Sequence, residues 1–93
     1  MATHYDRGAA LERDVVNLYR EKGWFAVRTA GSHSCVDVVA MRQGEIHLIQ
    51  CSCNPKGKTR KELDVLREIA EENRCRAFHS YRDKGVAIVE VEA

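Results

Sequence analysis

The sequence has no apolar run approaching the ~18 residues that a membrane-crossing helix needs. Its opening, MATHYDRGAALERD, holds no apolar stretch of the signal-peptide kind. Both absences point to a cytoplasmic or nucleoid-associated protein with no membrane partner. Charge of one sign is also missing. A net charge of +1 creates no global field that would draw nucleic acid in, so any such argument rests on local clusters. There is one proline, and there is no internal repeat, linker or low-complexity tract, so residues 1–93 read as a single domain with one modest core. Disorder is excluded by composition, with 44% apolar and 31% charged residues.

What is present has clear periodicity. Leu11, Val15, Leu18 and Tyr19 fall at helical spacing from about Arg7 to Lys22, and Gly23 is placed to stop that helix. WFAVRT (24–29) reads as a strand. CVDVVAMR (35–42) and Glu45 to Cys51 form a hairpin about the tight turn Gln43-Gly44. Thr59-x-x-Glu62 is a capping-box pattern before Leu63, Leu66, Ile69 and Ala70, which predicts a helix to about Asn73. RAFHSY and VAIVEVE follow as strands joined at Asp83-Lys84-Gly85. The order is αβββαββ, an α/β fold with helices flanking a mixed β-sheet. Trp24, Phe25 and Phe78 sit within strand patterns and are expected to fill the core.

Side chains alternate along strands, so parity sorts the polar residues. Cys35, Asp37 and Val39 are expected on one face, with Val36, Val38 and Ala40 on the other. Leu48, Gln50 and Ser52 share a face, opposite His47, Ile49 and Cys51. A hairpin brings Asp37 beside Gln50 and Ser52. An aspartate between valines costs free energy unless it is exposed, hydrogen-bonded, paired or bound to a metal.

Taken together, Glu12 on the first helix, GWFAVRTAGSHSCVDVVA and GEIHLIQCS resemble the PD-(D/E)XK nuclease superfamily. Within it the likeness is to the archaeal and phage-type Holliday junction resolvases, and it covers nearly the whole chain. The resemblance implies a restriction-endonuclease-like core and a metal-dependent endonuclease that acts on four-way DNA junctions as a homodimer. It also implies roles for Glu12, Ser32, Asp37 and Gln50 in the site. Mg²⁺ or Mn²⁺ would be held by Asp37, the Gln50 side-chain oxygen and the Cys51 carbonyl, with Glu12 binding directly or through water. The chain departs from the pattern at residue 52, where the family expects lysine and this sequence has serine.

Three readings of Ser52 stay open. The chain is a weakened or inactive nuclease that keeps DNA binding, or a lysine was removed to trap a complex, or Lys56 or Lys58 reaches back from the next loop. Losing an electrostatic donor of this kind costs roughly 3–4 kcal/mol in the transition state. Lys56, Lys58, Arg60 and Lys61 cluster directly after the site, where contacts would follow the DNA backbone without reading sequence. Arg7, Arg13, Arg28 and His33 are further candidates for phosphate contact.

Two other motifs compete. Cys51-Ser-Cys53 with Cys35, His33 and His47 suggests a zinc-stapled interaction domain, but the C-x-C spacing lacks the paired knuckles of structural zinc sites. In a reducing compartment the four cysteines read as free thiols. PKGKT resembles the end of a P-loop, yet the required first glycine is Ser52. The remaining alternative is a non-catalytic DNA-binding module on the same fold.

Overall fold

The computed structural model describes residues 4–29, 34–52 and 60–92. Two helices and five strands follow the expected order: α1 (His4–Glu21), β1 (Phe25–Arg28), β2 (Val38–Arg42), β3 (Glu45–Ser52), α2 (Arg60–Glu72), β4 (Arg76–Arg82) and β5 (Val86–Glu90). The strands form one sheet in sequence order, with β3 and β4 parallel and the other neighbours antiparallel. A parallel pair needs a crossover connection, which α2 supplies.

α1 forms because Leu11, Val15 and Tyr19 recur on one side of the helix, and all three are buried. It ends in a Schellman motif: the Gly23 amide donates to the Arg20 carbonyl at 3.0 Å and the Trp24 amide to the Tyr19 carbonyl at 3.1 Å. Gly23 takes the positive φ of 88° that this cap requires. The β2–β3 hairpin closes on Gln43 and Gly44, both at positive φ, as a two-residue turn matched to strand twist demands. The Asp83–Gly85 turn joins β4 and β5 as expected.

The helices cover opposite faces of the sheet. On one, Leu11, Val15, Val16 and Tyr19 of α1 pack with Ala26, Val38, Ala40, Ile49, Cys51 and Phe78. On the other, Leu66 and Ala70 of α2 pack with Leu48 and Ala77. Burying each of the larger aliphatic side chains contributes roughly 1.5–3 kcal/mol. Among the strands α2 contacts β3 and β4, so it leaves most of the same face of β1–β2 uncovered among the described residues.

Two expectations change. Phe25 is not core but 60% exposed, because among the described residues no helix covers its side of β1. Residues 35–37 are not strand, and Val36 packs beside Cys35 and Val39 against the α2-side cluster, not with Val38. Alternation fails there because the Val36 carbonyl accepts the Thr29 hydroxyl, and the ladder begins only at Val38. The expected cap residue Thr59 lies outside the described residues.

Candidate active site at the fork between β2 and β3

β3 is longer than its antiparallel neighbour. The β2–β3 ladder ends at Val38 and Ile49, while Gln50, Cys51 and Ser52 continue in register with His79, Ser80 and Tyr81 of β4. Asp37 stands where β2 would have continued. Its amide donates to the Ile49 carbonyl at 2.9 Å, and its carbonyl accepts the Thr29 amide at 3.0 Å. The Cys51 amide donates to Asp37 Oδ2 at 2.8 Å. A side-chain carboxylate thus replaces the missing strand acceptor, and the same bond fixes the carboxylate at the mouth of the fork. This answers how an aspartate between valines is accommodated: it is half-buried and hydrogen-bonded.

Parity along β3 holds as expected. Cys51 packs into the α1-side core, so its thiol points away from Gln50. Gln50 and Ser52 share the face of Leu48, and both are almost fully buried, at 3% and 4% exposure. Gln50 Oε1 is a buried acceptor with no hydrogen-bond partner among the described residues. Such atoms are rare in native proteins and call for a physical explanation. The Ser52 hydroxyl lies 2.8 Å from His79 Nε2.

Glu12 is held from the other side. Arg28 Nε donates to Glu12 Oε1 at 3.1 Å, and Arg28 pairs in register with Val38, one residue from Asp37. Glu12 therefore flanks the fork from α1, its charge offset by Arg28. Among the described residues no three His, Cys, Asp or Glu side chains converge as a metal cluster. The one carboxylate at the fork itself is Asp37.

The basic residues separate into groups. Arg13 and Arg28 line a groove of about 370 Å³ between α1 and β1, together with Arg20, which the sequence gave no reason to single out. Arg20 is anchored there by two bonds to the Ala26 carbonyl, at 3.0 and 3.2 Å. Arg7 and Lys61 are exposed. Arg60 is exposed as well, but its guanidinium pairs with Asp64 at 3.0 Å and reaches the Glu92 carbonyl at 2.5 Å. Ser32, His33, Lys56 and Lys58 lie outside the described residues. Cys35, Cys51 and Cys75 form no disulfide among the described residues, and Cys53 is not described.

His79 is a neighbour of the candidate site that sequence reasoning missed. It sits in RAFHSY, where one polar residue in a strand carries no signal of its own. Only the parallel register of β4 on β3 brings it level with Gln50 and onto Ser52.

The sequence model of the archaeal Holliday junction resolvase (Hjc) family matches residues 3–92. The chain belongs to that family. A crossover junction endodeoxyribonuclease Hjc from Methanocaldococcus jannaschii is 34% identical over 58 residues, which span 62% of this chain and 43% of that protein. The match thus spans under half of that relative's length. Among solved structures, Archaeoglobus fulgidus Hjc, described as a Holliday junction resolvase from an archaeal hyperthermophile, superposes with a TM-score of 0.72. It is 21% identical, with 87% of this chain and 73% of that one covered. This likeness establishes the mixed-sheet α/β fold that the sequence implied.

Proposed function

We propose that this chain is a metal-dependent endonuclease that hydrolyses phosphodiesters of branched DNA, with four-way junctions as its substrate. The carrying observation is the fork: a fixed Asp37 carboxylate beside a buried Gln50 acceptor that has no hydrogen-bond partner among the described residues. Membership of the Hjc family supports the substrate class.

The donor set suits a hard cation such as Mg²⁺ or Mn²⁺, which prefers oxygen ligands. Asp37 would hold it with one carboxylate oxygen and Gln50 with its orphaned Oε1. The Cys51 carbonyl would contribute too, since an extended residue sends its C=O to the same side as its N–H, here toward Asp37. When bound, the cation supplies Lewis-acid polarisation of the phosphate and lowers the pKa of attacking water. The chain's own residues do the positioning. Asp37 is locked by the Cys51 amide, and Glu12 is held against Arg28, so neither carboxylate has to be ordered when DNA arrives. Arg13, Arg20 and Arg28 are placed to meet phosphates along the α1–β1 groove. Lys56, Lys58, Lys61, Arg7 and His33 would extend the proposed contact surface, and Ser32, five residues before Asp37 in sequence, would join the site.

A junction cut on two strands needs two sites, so a homodimer is part of the proposal. Phe25, Val27 and Met41 remain exposed on the face of β1–β2 that α2 leaves bare, and this apolar surface is where a second copy would seat. A non-catalytic junction-binding module is the second reading, favoured by Ser52 in place of lysine.

Incubation with four-way junctions and linear duplex, in Mg²⁺, in Mn²⁺ and with chelator, separates the two. Metal-dependent nicking confined to the junction is expected. A junction that shifts on a gel but stays uncut in either metal would leave only the binding module.

A further inference from the structure

Ser52 stands where the family carries lysine, and it is not a bare substitution. Its hydroxyl is 2.8 Å from His79 Nε2, and both residues are buried, His79 at 8% exposure. His79 is also the β4 partner of Gln50 in the parallel ladder. Ser52, Gln50 and His79 therefore share one face of the sheet, level with the fork where Asp37 is fixed. We infer that the Ser52–His79 pair takes over the lysine's place in this chain: Ser52 presents the hydrogen-bonding group to the reacting phosphate or its water, and His79 positions it.

The chemistry explains why serine alone would be inadequate and the pair is not. A lysine ammonium donates in three directions, so one of its N–H groups meets the water or phosphate however the chain end rotates. A serine hydroxyl carries one proton and turns freely about its Cβ–Oγ bond. Bonded to His79, that rotor is restricted in either tautomer. If Nε2 accepts the Ser52 proton, the oxygen lone pairs face the fork. If Nε2–H donates to Oγ, the hydroxyl proton is turned away from His79 and left to donate to a group at the fork. Either way one hydrogen-bonding direction is pre-set before substrate arrives, which is how a neutral group becomes effective in a reacting site. His79 is itself braced by the Tyr81 ring, with centroids 5.2 Å apart. It touches no reacting atom in this scheme and is a positioning residue.

The inference rests on the nuclease reading, and one experiment separates their failures. Junction cleavage is measured in Mg²⁺ for the wild type, His79→Ala, His79→Gln, Ser52→Lys and the Ser52→Lys/His79→Ala double variant. Circular dichroism and junction binding on gels check each fold. His79→Ala should lower kcat roughly 10- to 100-fold with KM unchanged, the usual scale for a supporting partner. His79→Gln, whose amide reaches about as far as Nε2, should restore most of the rate. In the Ser52→Lys background His79→Ala should cost nothing, because a lysine needs no rotor fixed. Should His79→Ala fail to fold, His79→Asn carries the same test, being polar but too short to reach Ser52.

Equal rates for wild type and His79→Ala would overturn the inference and leave the nuclease reading standing. So would a loss that persists in the Ser52→Lys background, since a purely structural histidine would behave that way. Cleavage by Ser52→Lys but not by wild type would also defeat it, showing an intact site that the pair does not serve. No cleavage by any variant would defeat the nuclease reading and the inference together.

Discussion

The two ends of β3 bury polar residues in opposite ways. From His47 to Ile49 the strand lies between β2 and β4, and its buried histidine is closed into a network. Tyr19 Oη is 2.9 Å from His47 Nδ1, and His47 Nε2 bonds Glu45. Glu45 in turn meets Arg76, which is held in two bonds of 2.9 Å by Glu90. Trp24 and Phe78 flank the imidazole at 4.5 and 4.3 Å between centroids. From Gln50 to Ser52 one neighbouring strand is gone, Asp37 substitutes for it, and the Gln50 acceptor has no partner among the described residues. A satisfied polar cluster rigidifies, whereas an open buried acceptor costs stability unless a ligand completes it. The first end of β3 serves the fold, and the second is the end at which the proposed cation would bind.

Asp37→Ala should break the second end most severely. Cleavage should fall on the order of 100- to 1000-fold, as for loss of a main electrostatic contact. Stability should also drop, by about 1–3 kcal/mol, because the Cys51 amide loses its acceptor. Single-turnover cleavage and urea unfolding read the two effects, and an unchanged cleavage rate would remove Asp37 from the site.

Gln50→Leu sharpens the contrast, because rate and stability should part company. Nothing among the described residues bonds Gln50 Oε1, so a similarly sized apolar side chain should leave the unfolding midpoint level or raised. Cleavage should nevertheless fall roughly 10- to 100-fold, the range for a lost supporting ligand. A marked drop in stability with normal cleavage would mean that Gln50 belongs to the fold, like His47.

How much of this was legible beforehand follows the same division. Leu11, Val15 and Tyr19 announce α1 because helical spacing reports one buried stripe, and the parity of β3 placed Gln50 and Ser52 correctly because that strand is covered on both faces. Phe25 misled because alternation cannot say which face a helix will cover. The stretch 35–37 misled because beyond Val38 the Cys51 amide is met by the Asp37 side chain and not by a continuing strand, a bond between residues fourteen apart in sequence. The Glu12–Arg28 pair and the Ser52–His79 pair depend on register across elements, which no local pattern carries. Family resemblance supplied Asp37 and Gln50 but gave no reason to look at His79, since it concerns the motif and not the residue that now supports Ser52.

Tyr19→Phe probes the first end, with the smallest expected effect. Removing the hydroxyl leaves His47 Nδ1 without that bond and should cost about 1 kcal/mol near neutral pH. Junction cleavage should not change, because Tyr19 lies with Trp24 and His47, away from the fork. The difference should depend on pH in a definite direction. Burial pushes the Tyr19 hydroxyl up from its ordinary 10.0 to about 12. Between those values the unfolded chain has lost this proton and the folded protein has kept it, so the folded state binds more protons and stability falls as pH rises. The phenylalanine variant has no such proton. Its deficit should therefore shrink as pH climbs from about 9 to about 11, measured by urea unfolding of both proteins side by side. A deficit constant across that range would mean that the Tyr19 hydroxyl is not held protonated by the fold, and that this end of β3 is wetter than its packing indicates.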